Sequence, residues 1–141
     1  MERRQFIRTG CKLCVGIAGA AVFSSLLTSC SPLPVYKTAY TDRKVRVPVS
    51  EFALNDFLIV RCSNFNYDIA VIKNSDGTYQ SLLMVCSHAD SPLNFNGNEF
   101  KCYLHGSIFS RSGEVQTGPA DKPLFALETL KQENEIVILL K

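Results

Sequence analysis

The sequence predicts an all-β domain, an antiparallel β-sandwich or small barrel that carries two loops rich in thiol and imidazole. Apolar runs of strand length recur about every 8–12 residues with polar or glycine-bearing turns between them, the signature of a sandwich or barrel. Beyond residue 30 no apolar stripe of helical period outlasts one or two turns. Both histidines and two of the six cysteines fall in two knots, Cys86-Ser-His88 and Cys102-Tyr-Leu-His105, each just after such a run.

Residues 1–29 read as an export signal. "MERRQFIRTGCK" is a charged n-region, "LCVGIAGAAVFSSLL" an apolar stretch, and "LTSC" closes it at Cys30. The paired arginines of "RRQFIR" resemble a twin-arginine motif. "LTSC" resembles a lipobox, with small Thr28 and Ser29 before the cysteine that is lipidated and becomes the new N-terminus. The alternative is an uncleaved anchor helix over residues 13–29, a run at the lower limit for a membrane span. Either way the domain is expected outside the cytoplasm, on the periplasmic side and membrane-anchored. The Cys11/Cys14 pair sits inside this signal, so its C-x-x-C spacing is not read as a redox site.

Residues 30–47 read as the lipidated cysteine and a tether, ending in an alternating strand, "KVRVPV", in which Val45, Val47 and Val49 share a face. The domain proper is expected over 48–141. Its runs are "FLIVRC", "DIAVIK", "SLLMVC", "EFKCYL", "LFALETL" and "EIVILLK". Asn74–Gly77 and Gln132–Asn134 read as hairpin turns, so the last two runs are expected to pair antiparallel.

A chain of 141 residues with 46% apolar content suits one globular domain. Its net charge of +2 belongs to the leader: Arg3, Arg4, Arg8 and Lys12 lie there, and from residue 30 onward eleven basic residues face twelve acidic ones. Such a balance leaves no basic stripe for nucleic acid.

Two thiols and two imidazoles can bind zinc tetrahedrally, but zinc knuckles usually group like ligands as C-x(2–4)-C and H-x(3–5)-H. Here each knot mixes one Cys with one His. A histidine-ligated two-iron, two-sulfur cluster takes two Cys on one iron and two His on the other, and two mixed loops can flank it. Both centres are compatible with the residue types alone.

C-x-H followed by C-x-x-H, with "HGS" after the last ligand, resembles the Rieske iron–sulfur family. Ser91–Leu93 ("SPL") is similar to the turn after that family's first ligand pair, and "SGEVQTGPA", Ser112–Ala120, to the segment ending in its proline loop. The likeness covers about residues 50–141. It implies a Rieske-type fold and one 2Fe–2S cluster, with Cys86, His88, Cys102 and His105 as metal ligands and Gly106 allowing close backbone approach. It also implies cluster-tuning positions at Ser107, which keeps a hydroxyl donor, and Phe109, which lacks the tyrosine donor of high-potential members. Two departures stand out. The gap between the knots is short, so the tip around Asn94–Asn98 should be abbreviated. Ser91 and Leu104 stand where respiratory and photosynthetic members carry a disulfide. Cys62 is expected to be a buried apolar residue.

With both histidines committed to metal, no Ser-His-Asp site is available and no catalytic residue is expected. Three readings stay open: a lipid-anchored electron carrier for redox partner proteins; the small Rieske subunit of a larger oxidoreductase, cytochrome bc-like or arsenite-oxidase-like; and a zinc-stabilised binding module.

Overall fold

The computed structural model describes residues 32–140; the stretch read as an export signal (1–29) and Cys30 lie outside the described residues. Among the described residues, eleven strands form two sheets. The larger comprises β1 (Val35–Thr38), β2 (Lys44–Pro48), β3 (Phe57–Cys62), β4 (Ile69–Lys73), β5 (Tyr79–Leu83), β10 (Ala126–Lys131) and β11 (Glu135–Leu139), in the order β1-β3-β4-β5-β10-β11-β2. All its pairings are antiparallel except β1 with β3, and its edge strands β1 and β2 touch, which nearly closes a barrel. The smaller sheet is β6 (Asn94–Phe95), β7 (Glu99–Lys101), β8 (Ile108–Ser110) and β9 (Val115–Thr117), in sequential order.

Strands β3 and β4 read as unbroken apolar runs because both of their faces are buried. Leu58, Val60, Cys62, Ile69 and Val71 point into one core with Val45, Val47, Ile136 and Ile138. The alternate residues Ile59, Ala70 and Ile72 point into a second core, shared with Phe95, Phe100, Phe109, Cys86 and Cys102 of the smaller subdomain. A two-period strand between two apolar layers needs no polar alternation. Phe95 stacks on Phe100 at 4.2 Å between ring centroids, and Phe57 of the larger sheet meets Phe95 edge-on at 5.1 Å.

The terminal hairpin forms as expected, with Glu128 opposite Leu139 and Lys131 opposite Ile136. The alternating "KVRVPV" forms strand β2 as expected, Lys44–Pro48 pairing with β11. The structure also contributes corrections. Ahead of β2, the stretch read as a tether supplies a further strand: Val35–Thr38 pair in register with Ile59–Cys62. Strand β1 alternates only between exposed and half-buried residues, so it lacks the apolar run that marks a strand. The run "SLLMVC" is shifted: β5 begins at Tyr79 and ends at Leu83. Strands β6, β8 and β9, of two or three residues, were not expected.

Candidate metal centre

Both knots are loops built on one plan. In the first, the Cys86 N–H donates to the Ser91 carbonyl (2.8 Å) and the Asp90 N–H donates to the Cys86 carbonyl (2.9 Å). In the second, the Cys102 N–H donates to the Ser107 carbonyl and the Gly106 N–H to the Cys102 carbonyl, both at 2.9 Å. Each loop thus closes across the same five-residue span, with its cysteine at the base. The first loop extends the end of β5, where Val85 bridges to Pro92; the second joins β7 directly to β8.

This plan sorts the side chains by depth. Cys86 and Cys102 have no solvent exposure and belong to the core beneath the small sheet. His88 and His105 are exposed, and their rings meet edge to face with centroids 4.9 Å apart. The structure therefore pairs the two histidines at the surface and buries both cysteines in one core. Burial pushes the Cys102 thiol up, but the N–H groups of His105 and Leu104 and the Cys86 thiol all favour its thiolate, and the net direction is down. Among the described residues, no group of three or more His, Cys, Asp or Glu side chains is arranged to hold a single metal ion. A mononuclear zinc site needs three or four ligands converging on one point, whereas a two-iron cluster spreads its ligands in pairs. The donor set fits the cluster.

A third loop covers the site. Ser107 is wholly buried, and its hydroxyl oxygen accepts the Ala120 N–H at 3.0 Å. That leaves the hydroxyl proton free to donate elsewhere. Ser87, between the first two ligands, donates its hydroxyl to the Lys122 carbonyl at 2.6 Å. The segment from Gly118, which includes a cis Gly118–Pro119 bond, is thus tied to both ligand loops. Ser87 escaped the sequence reading because a serine between two ligands carries no pattern of its own.

Phe109 is fully buried in the same core as the two cysteines. Gly106 has φ +83°, and a Cβ there would meet nothing within 4 Å, so its backbone conformation and not crowding by protein atoms is what requires glycine. Ser91 and Leu104 carry no thiols, and Cys62, Cys86 and Cys102 are all unpaired. Cys62 is buried in the other core, and burial, then Asp68, pushes its thiol up. The tip of the β6–β7 hairpin is short, with the Asn96 side chain accepting the N–H groups of Asn98 and Glu99, each at 2.9 Å.

A family model described as the Rieske [2Fe-2S] domain matches residues 43–131. Iron-sulfur subunit 1 of the cytochrome b6-f complex from Nostoc sp. is 44% identical over 57 residues, which cover 39% of this chain and 31% of that protein. Its counterpart from Synechocystis sp. is 35% identical over 72 residues, covering 48% and 40% respectively. The matches therefore span under half the length of these relatives. Among solved structures, the plasma membrane Rieske protein of Synechocystis PCC 6803 superposes with a TM-score of 0.56 at 23% identity, over 67% of this chain and 97% of that one. That likeness shows a shared fold.

Proposed function

The chain belongs to the Rieske [2Fe-2S] family, and we propose on that footing that it is an exported, lipid-anchored one-electron carrier. Cys86 and Cys102 ligate one iron of its cluster, and His88 and His105 ligate the other. The observation that supports this assignment is the pair of exposed imidazoles, 4.9 Å apart, above two wholly buried cysteines. When bound, the cluster supplies a one-electron couple whose potential follows from its ligands, hydrogen bonds and burial.

The chain's own residues set the rest. Burial of Cys86 and Cys102 keeps water from the sulfur side, while the exposed His88 and His105 rings give redox partners the shortest approach. The backbone N–H groups of His105 and Leu104 favour the Cys102 thiolate. Ser107, its oxygen held by the Ala120 N–H, keeps a hydroxyl proton free for the cluster, and such donors stabilise added electron density. Phe109 offers no second donor. One donor present and one absent sets the potential in the middle of the Rieske range of about −150 to +300 mV.

Export through a twin-arginine signal suits a cluster inserted before translocation, and lipid on Cys30 holds the domain to the periplasmic face of a membrane. The named relatives are subunits of cytochrome b6-f complexes. The partner class proposed for this chain is accordingly a membrane redox complex, met by a carrier or housing a subunit. Electron paramagnetic resonance on the dithionite-reduced full chain tests the reading. A rhombic signal with the low average g-value of histidine-ligated clusters is expected. A silent sample holding one zinc per chain refutes it.

A further inference from the structure

Beside the second ligand loop runs an open groove of about 480 Å³ whose lining includes Leu33, Phe95, Glu99, Lys101 and Tyr103. Leu33 is the notable member, because it stands only three residues after Cys30. The chain there is pinned at once: the Pro34 carbonyl accepts the Ile59 N–H at 2.9 Å, and β1 continues in the large sheet from Val35. Three peptide steps span at most about 11 Å, and Pro32 and Pro34 stiffen them. An anchor on Cys30 therefore holds Leu33, on one side of this groove, within about 11 Å of the attachment point.

Two exposed apolar members of that lining suit an interfacial contact, among polar Asn94, Asn96 and Glu99. Tyr103 is 71% and Leu33 44% exposed, and Leu104, the next residue in the ligand loop, is 68% exposed. The Lys101 ammonium lies 5.6 Å from the centre of the Tyr103 ring. Aromatic rings favour the headgroup level of a bilayer, apolar side chains the acyl boundary, and a lysine nearby meets anionic headgroups. Leu104 directly precedes His105.

We propose that the Leu33–Tyr103–Leu104 face rests on the lipid surface that holds the anchor, which lays the domain on its membrane with the histidine pair at the bilayer interface. The inference builds on the lipid-anchor reading of Cys30. It makes the electron partner one that presents its redox centre at that interface. A short, pinned linker gives the domain no reach to a distant soluble acceptor while docked.

The chain has no tryptophan, so one substitution installs a unique reporter. Tyr103→Trp and Leu104→Trp report the proposed face. Leu54→Trp, at a position 94% exposed between residue 52 and β3, serves as the control. Each full-length variant is purified from membranes, checked for lipid on Cys30 by intact mass, and placed in vesicles of phosphatidylethanolamine and phosphatidylglycerol with or without acyl-chain bromine. Insertion of about 5–10 Å into the headgroup–acyl boundary gives a roughly twofold loss of emission in brominated vesicles for Tyr103→Trp and Leu104→Trp, with none for Leu54→Trp. Lipidated protein with equal emission in both vesicles for all three variants overturns the docking and leaves the anchor standing. Protein without lipid on Cys30 overturns both.

Discussion

Asp90 and Gly106 hold the same place in two loops of one design. Each sits four residues after a buried cysteine, donates its N–H to that cysteine's carbonyl at 2.9 Å, and adopts a left-handed φ, 48° for Asp90 and 83° for Gly106. Aspartate tolerates this region better than most residues, whereas an alanine pays its full steric cost. Gly106→Ala is therefore expected to strain the second loop by about 1–2 kcal/mol. The cost is purely conformational, since nothing crowds the added Cβ. Asp90→Gly relieves the equivalent strain and changes stability by less than about 1 kcal/mol. Thermal loss of the cluster's visible absorbance is the readout: a midpoint lowered by several degrees in Gly106→Ala and little changed in Asp90→Gly. Equal midpoints in both variants would contradict the shared design.

The buried Ser107 hydroxyl links the second ligand loop to the loop that covers the site. Ser107→Ala removes the free proton proposed to face the cluster and also strips the Ala120 N–H of its acceptor. A hydrogen bond to a charged group is worth about 1.5–3 kcal/mol, and 1.4 kcal/mol corresponds to about 59 mV for one electron. The expected result is a reduction potential lower by about 60–120 mV by protein-film voltammetry. An unchanged potential would reduce Ser107 to a structural tie between loops.

Sequence patterning carried the large sheet wherever burial writes a pattern. Strands β3, β4 and β11 are apolar enough to announce themselves, and the turns at Asn74 and Gln132 fixed their hairpins. Strand β1 did not, because an edge strand of exposed and half-buried residues has no apolar face to mark it. The two- and three-residue strands β6, β8 and β9 are shorter than any periodic signal. Within the site, thiols and imidazoles betray themselves by type. The Ser87 bond to the Lys122 carbonyl spans 35 residues and joins two residues with no shared motif, so only the folded chain reveals it.

Phe109 is the position where one oxygen atom can be added beside the two cysteines. Phe109→Tyr supplies a second hydroxyl donor, and donation to a cysteine ligand is expected to raise the potential by tens of millivolts. The site has no exposure, so a hydroxyl that failed to find its acceptor would cost about 1–3 kcal/mol. The two outcomes separate cleanly. A raised potential with an unchanged unfolding midpoint means the donor reaches the ligand; a lowered midpoint with an unchanged potential means it does not.

Arg111 fastens the small subdomain to the large sheet. Its guanidinium donates to the Gly97 carbonyl in the β6–β7 turn, pairs with the Asp56 carboxylate at 2.8 Å, and lies 5.9 Å from the centre of the Phe57 ring. Asp56 is 69% exposed, so the ion pair itself contributes at most about 1 kcal/mol and is screened by salt. The packing of the stem and the bond to Gly97 are less exposed to screening. Arg111→Ala is expected to cost about 1–2 kcal/mol, and Asp56→Asn less than about 1 kcal/mol. Denaturation of both variants at low and at high salt decides the matter. The Asp56→Asn deficit should vanish as salt rises, while most of the Arg111→Ala deficit persists. If both deficits vanish together, the clamp is only a surface ion pair, and the aromatic stack of Phe57 on Phe95 carries the junction without it.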